Sequence, residues 1–260
     1  MSNSLLELAG VTKRFGRVVI AEDLSLAVGP GDTVGIVGPN GAGKTSLFGL
    51  ISGDLAPDGG EVHFAGRAVT RLDAAARCRL GIGRTYQVPR PFADMTVFEN
   101  LLVAAQQGAG LRQRASYAAA VEALDLAGMS AHANVPAERL GLLQRKRLEL
   151  ARALATRPTL LLLDEVAGGL TDPEVAELVE IVRAVNADGI AVIWIEHVVR
   201  ALTPVVGRLM CLAGGKFVGD GEPAAVLAEP AVREVFLGTD VTAALAGGSL
   251  GTSQADGSDG

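Results

Sequence analysis

A chain of 260 residues, 49% hydrophobic with a mean hydropathy of +0.33, is long enough to bury a substantial core as one large domain or two lobes. A formal net charge of −6 argues against a nucleic-acid binder that works by bulk electrostatics, and Cys78 and Cys211 are too few and too far apart for a disulfide framework. A membrane-spanning helix is not expected either, because the most apolar stretch, residues 190–212, is broken by Glu196, His197, Arg200 and Arg208 where about 20 clean apolar residues are needed.

Met1 to Ser4 has neither the basic region nor the hydrophobic stretch of a signal peptide. Together with the cysteine usage this predicts a soluble, cytosolic protein. Its apolar excess fits a large core, a docking surface for something more hydrophobic, or both.

In chain order, residues 5–15 and 24–28 read as short strands, and the turn Gly29-Pro30-Gly31-Asp32 leads into a third at 33–37. Residues 61–64 form another after Asp58-Gly59-Gly60, so the opening region predicts a small antiparallel sheet around the loop that follows residue 37. From about 97 to 155 the pattern turns helical, with Ala- and Leu-rich stretches at 117–126 and 148–154. Leu160 to Leu163 is a continuous apolar run, suited to a strand buried on both faces of a parallel sheet. An amphipathic helix at 173–186 and a second buried strand at 190–195 complete a βαβ unit. Residues 205–212 and 216–219 fit closing strands, and the Gly/Ser/Asp-rich tail at 247–260 has almost nothing to bury. The expected fold is α/β, a core with a largely parallel sheet, an antiparallel β subdomain and a helical subdomain. It spans residues 1–246, with the helical part inserted at about 88–155.

The chemistry starts at Gly38-Pro39-Asn40-Gly41-Ala42-Gly43-Lys44-Thr45, between a strand and the helix-like run that begins at Ser46. This is the phosphate-loop pattern G-x-x-x-x-G-K-[ST] in the setting it requires. Glycines at 38, 41 and 43 can take backbone angles closed to residues with a Cβ, so successive amides can turn inward around a polyphosphate. The following helix adds about half a positive charge at its N-terminus. Lys44 supplies a full charge to the β- and γ-phosphates, and Thr45 a hydroxyl ligand for Mg²⁺. The run 160–163 ends in Asp164-Glu165. A carboxylate at the end of a buried strand beside the phosphate loop is a second anchor for phosphate-bound Mg²⁺, which assigns Asp164 to metal. Glu165, one residue on, is placed to orient a water for in-line attack.

Two further segments, Arg84-Thr85-Tyr86-Gln87 and Trp194-Ile195-Glu196-His197, complete a set that resembles the nucleotide-binding subunit of ABC transporters, from Leu5 to Gly238. The resemblance implies ATP as the nucleotide, Phe15 stacking on adenine, and residues 38–46 holding the phosphates. It implies Gln87 contacting Mg²⁺ and the attacking water on a loop that touches the membrane subunit, and His197 reaching the γ-phosphate. Residues 84–100, Arg147 to Leu154, Ile195-Glu196-His197 and Val235 to Gly238 are most similar to the branch that powers uptake of branched-chain amino acids. Membrane permease subunits, a second ATPase subunit and, indirectly, a periplasmic solute-binding protein are the implied partners, at the cytoplasmic face of the inner membrane. Arg90-Pro91-Phe92 is the candidate docking surface for the permease.

One segment departs from the family. Where Leu-Ser-Gly-Gly-Gln is expected, the chain reads Leu140-Gly141-Leu142-Leu143-Gln144. In the family this signature faces the nucleotide of a second subunit, its hydroxyl and amides meeting the γ-phosphate at a helix N-terminus. Loss of one hydrogen bond to a charged group, worth about 1.5–3 kcal/mol, predicts closure on the partner's nucleotide weakened at least roughly tenfold. Leu143 is expected to be the serious change. A heterodimer with one competent and one weak site accommodates it better than a homodimer does. The alternative is a degenerate subunit that clamps ATP with little turnover.

Overall fold

The computed structural model describes residues 4–237; the expected tail at 247–260, the domain end at 246 and Gly238 lie outside them. The chain opens with two long strands, β1 (Leu6–Phe15) and β2 (Val18–Val28), joined by a tight turn and paired antiparallel. β1 alternates buried and exposed residues over its first half, as a strand with one face on a core must. Next come β3 (Thr33–Val37), helix α1 (Lys44–Ser52), β4 (Gly59–Phe64) and the two-residue β5 (Arg67–Ala68). β2, β1, β4 and β5 form one four-stranded antiparallel sheet, as expected. The second strand starts at Val18, six residues before the apolar run at 24–28 that announces it. Its first half, Val18-Val19-Ile20-Ala21-Glu22, is mostly half-buried or exposed, and pairing with β1 carries it through to Val28 as one strand.

Helix α2 (Ala74–Leu80), capped by the Asp73 side chain, leads into β6 (Ile82–Arg84). Three helices follow: α3 (Val97–Val103), which runs into a π-helical turn over Ala104–Gly108, α4 (Gln113–Leu126) and α5 (Leu142–Ala155). α3 starts at a full capping box between Thr96 and Glu99. The buried side chains of these helices, Leu101, Ala123, Leu148 and Leu154 among them, pack into the larger of two apolar clusters.

β7 (Leu160–Asp164), α6 (Asp172–Ala187), β8 (Ala191–Ile195), the short α7 (Val199–Leu202), β9 (Arg208–Ala213), β10 (Lys216–Gly221), α8 (Pro223–Ala228) and α9 (Pro230–Leu237) complete the described chain. The second sheet runs β10-β9-β3-β8-β7-β6, parallel throughout except for the antiparallel β10 at its edge. Every residue of β7 and β8 is buried, which explains why both read as unbroken apolar runs. The two faces of this sheet look into different cores. Leu161, Leu163, Val192 and Trp194 join the cluster under the helices, while Leu160, Leu162, Ile193 and Ile195 join the one beneath the antiparallel sheet. Among the described residues no helix is long and apolar enough to cross a membrane.

Candidate functional site

Four parallel strands end side by side, and each delivers part of the site at its carboxyl end. β3 runs into residues 38–45, β7 into Asp164-Glu165, β8 into Glu196-His197 and β6 into Thr85-Tyr86-Gln87.

Gly38 and Gly43 are fixed by close approach as well as by backbone angle. Gly38 has φ +153°, and a Cβ there would lie 2.0 Å from the carbonyl oxygen of Leu212 at the end of β9. Gly43 has φ +102°, and a Cβ there would lie 2.5 Å from the carbonyl oxygen of Ile20 on β2. The loop is thus clamped between both sheets, and only residues without side chains fit the clamp. α1 starts at Lys44 with no side-chain cap, so its first amides have no intrahelical acceptor and face the loop. Lys44 is buried, and its ammonium donates to Gly38 O at 2.8 Å and Pro39 O at 3.0 Å, which leaves one of its three protons for a ligand. Burial pulls its pKa below the usual lysine range, opposed by the charges of Glu165 and Asp164. Thr45 and Asn40 are exposed at the mouth of the loop, and Pro39 and Ser46 are partly so.

Asp164 is buried. Its Oδ2 accepts from the Arg84 guanidinium at 3.2 Å, and its amide donates to Thr85 Oγ1 at 3.1 Å. Burial raises its pKa, and Arg84 opposes the rise. Its other oxygen, Oδ1, is buried with no hydrogen-bond partner. Such an orphan costs free energy unless something ligates it, so the donor set fits a hard cation bound by oxygens. The described residues contain no cluster of three His, Cys, Asp or Glu able to hold a metal by themselves. A cation here therefore depends on one carboxylate, neutral oxygens and the phosphates.

Glu165 has φ +49°, a left-handed conformation uncommon for a residue with a Cβ. Its two carboxylate oxygens face two of the expected partners: Gln87 Nε2 donates to Oε2 at 2.5 Å, and His197 Nε2 lies 2.6 Å from Oε1. The structure therefore joins Gln87, Glu165 and His197, which are up to 110 residues apart in sequence, in one contiguous group. Phe15 is about half exposed, with Lys13 Nζ 5.5 Å from its ring centroid, so a ring face is open for stacking.

The signature segment is arranged differently from the sequence expectation. Gly141 is the N-cap of α5, and the helix begins at Leu142. Leu143 is only 7% exposed, whereas Leu142 is 49% exposed. Leu143 lies on the helix face of Lys146 and Leu150, three and seven residues on, both buried. The expectation that Leu143 is the serious change is corrected: its side chain turns inward, and Leu142 is the projecting leucine. A Cβ on Gly169 would stand 3.3 Å from Leu142 Cδ2, so Leu142 lies against the loop 168–171.

Two cations that sequence reasoning left out matter here. Arg84 reaches Ser52 Oγ at 3.0 Å and Asp54 Oδ2 at 2.8 Å besides Asp164, with its guanidinium carbon 5.7 and 5.2 Å from the ring centroids of Phe48 and Tyr86. Arg77 is 1% exposed and donates to the carbonyls of Leu50 and Ile51 in the last turn of α1, and to those of Thr70 and Leu72. The available signal was phase. Arg77 interrupts a short Ala-rich helix, and nothing local says which side is covered.

A family model described as ABC transporter matches residues 21–168. Over 253 residues the chain is 34% identical to the high-affinity branched-chain amino acid transport ATP-binding protein LivG of Escherichia coli strain K12, a match covering 92% of this chain and 99% of that one. It is 33% identical over 236 residues to the lipopolysaccharide export system ATP-binding protein LptB of Acidithiobacillus ferridurans, covering 91% and 98%. The crystal structure of an ATP-binding cassette of an ABC transporter in its ADP conformation superposes with a TM-score of 0.84 at 28% identity, over 91% of this chain and 100% of that one. With a phosphate loop, a strand-end Asp-Glu pair and a histidine on a cassette of that shape, the chain belongs to the ABC transporter family, as an ATP-binding subunit.

Proposed function

We propose that this chain hydrolyses Mg-ATP to power an importer of branched-chain amino acids or related small polar solutes. Its sequence likeness to LivG supports the solute class, although LptB, an export-system protein, is nearly as similar. The observation that carries hydrolysis is the bracketing of Glu165 by Gln87 and His197. In this reading residues 38–46 hold the phosphates and Phe15 stacks on adenine. Thr45, Gln87 and Asp164 would hold Mg²⁺, which neutralises charge building on the phosphate oxygens. Glu165 orients the attacking water, and His197 reaches the γ-phosphate. For Glu165 to accept from water, one of its two contacts gives way. Gln87 and His197 are both exposed, so either side chain can swing aside while its main chain stays in place. Phosphoryl transfer asks a protein for positioning and charge stabilisation more than for covalent chemistry, and these residues supply both.

The exposed apolar side chains of Tyr86, Val88, Phe92 and Met95 on the Gln87 loop suit docking to a permease. We read residues 88–155 as the helical subdomain of a domain ending near 246, and the chain as peripheral at the cytoplasmic face of the membrane. A solute-binding protein in the periplasm acts on it indirectly. Leucine at 142 favours a heterodimer with a second ATPase subunit whose signature serves this chain's nucleotide. It equally favours the second reading, a subunit that clamps ATP with little turnover.

Steady-state ATPase activity of the purified chain against its concentration, with E165Q as control, tests the proposal. Activity that rises faster than linearly and disappears in E165Q establishes a working homodimer. Tight ATP binding without turnover, restored by adding the second ATPase subunit, establishes the heterodimer. Continued silence in the assembled complex refutes hydrolysis by this site and leaves the clamp.

A further inference from the structure

One turn into α5, beyond the altered signature, stands Lys146, 6% exposed. Among the described residues it forms no ion pair within 4.0 Å. Its ammonium donates instead to two main-chain oxygens, Gln87 O at 3.3 Å and Glu165 O at 3.2 Å. These are the carbonyls of the two residues whose side chains meet at 2.5 Å. Neither lies within a strand: Gln87 is in the loop after β6, and Glu165 has left the β7 ladder in a left-handed conformation. That conformation costs roughly 1–2 kcal/mol for a residue with a Cβ and persists only where the surroundings enforce it. A carbonyl off the ladder also needs a donor; Glu165 O has one in the Gly168 amide at 3.3 Å, and the Lys146 ammonium adds a charged, stronger one.

Lys146 heads a row on one face of α5. Glu149 accepts from the Tyr86 amide at 3.4 Å. Arg152 donates to Arg90 O at 3.0 Å, and its guanidinium lies 5.5 Å from the Phe92 ring centroid. Spaced i, i+3 and i+6, the three side chains lay the loop 86–92 along the helix. Only Lys146 also reaches Glu165. Burial lowers its pKa, and the charges of Glu196, Glu165, Asp164 and Glu149 counter that.

We propose that Lys146 is a positioning residue for ATP hydrolysis: it pins the main chains of Gln87 and Glu165 to each other and to the helix that carries the signature. The geometry of this chain's own hydrolytic group is thereby tied to the helix end that faces the partner's nucleotide. A shift of α5 at its N-terminus moves both carbonyls together. This rests on the reading of Glu165 as the residue that orients the attacking water.

Amide hydrogen exchange on the purified full-length chain tests it, comparing wild type, K146M and K146R. Met keeps the helix propensity and much of the volume but donates nothing, and Arg keeps a donor. In K146M, exchange in segments 85–90 and 164–168 is expected to quicken at least about tenfold, the loss of one charge-assisted bond. Segment 38–45 and the affinity for ATP stay as in wild type, and K146R recovers part of the protection. Where turnover is measurable, kcat falls by a similar factor at unchanged KM. Wild-type exchange in both segments overturns the proposal. So does acceleration spread evenly along the chain with a lowered Tm, which marks Lys146 as merely structural. If E165Q retains full turnover, the reading of Glu165 fails, and the exchange result still decides whether Lys146 pins the two carbonyls.

Discussion

Restoring glycine to the signature should have opposite consequences at its two leucines. Leu143 is 7% exposed on the inner face of α5. Truncating a buried Leu to Ala costs about 2–5 kcal/mol through lost burial and the cavity left behind, and glycine in a helix about 1 kcal/mol more. L143G should therefore lose about 3–6 kcal/mol, a large share of the roughly 5–15 kcal/mol that holds a typical domain together. Leu142, 49% exposed at the first helical position, surrenders little burial, and L142G should cost about 1 kcal/mol or less. Urea unfolding followed by the single tryptophan, Trp194, which is fully buried, reads both numbers. The functional gain should run the other way. Removing the projecting Leu142 side chain uncovers the first amides of α5 to a partner's phosphate, and one charge-assisted bond there is worth at least about tenfold in affinity. On the E165Q background, ATP-dependent self-association measured by sedimentation should tighten in L142G. The reasoning is refuted if L143G loses no more stability than L142G, or if L143G alone strengthens association.

Two further outcomes follow from buried charges. R77M leaves four carbonyls without their donor, two of them in the last turn of the phosphate-loop helix; at about 1–3 kcal/mol for each orphan, a loss of about 4 kcal/mol or more is expected in urea unfolding, and a loss under about 1 kcal/mol would show that water replaces the guanidinium. Glu196 is held above the ordinary carboxylate range by burial, partly offset by bonds from the Ala167 amide and the Trp194 indole. An acid whose folded pKa is raised binds more protons folded than unfolded, so it lowers stability as pH rises from its unfolded value through its folded one. E196Q keeps an acceptor without the charge. Its Tm should match wild type near pH 4 and exceed it increasingly toward pH 8, and a constant difference across that range would refute the assignment.

How much of this could be read from the chain follows the range of each interaction. The phosphate loop is local: its glycines, lysine and flanking strand and helix lie within 20 residues, so the sequence displays the whole device. β7 and β8 are legible because burial on both faces leaves only apolar residues. β6 is not, being three residues long with a glycine at its centre, and it becomes a strand only by pairing with β7. Its last residue is Arg84, so the support of Asp164 was hidden with it. Helix phase could have placed Leu143 and Lys146 together on the covered side of α5, in step with Leu150 and Leu154. Charge misdirects there, because a lysine among arginines reads as a solvated face until the main-chain oxygens opposite it are known.

The pairing of Asp164 with Glu165 shows why such local information falls short. In an extended strand, neighbouring side chains point to opposite faces, so a carboxylate pair at 164–165 cannot serve one nucleotide if the strand simply continues. The chain continues its ladder by one bond, from the Glu165 amide to Ile195 O at 2.9 Å, and then turns at φ +49°. That turn brings the Glu165 side chain between Gln87 and His197, while Asp164 stays behind on Arg84. No residue in the sequence announces the turn, since glutamate is a poor choice for a left-handed angle. One local bond helps, from the Gly168 amide to the Glu165 carbonyl at 3.3 Å, and the rest arrives from elsewhere: Ile195 from β8 on the amide and Lys146 from α5 on the carbonyl. The separation of the Asp164 carboxylate, held on Arg84, from the Glu165 carboxylate, held between Gln87 and His197, is therefore a product of tertiary structure, and residues outside the motif help to enforce it.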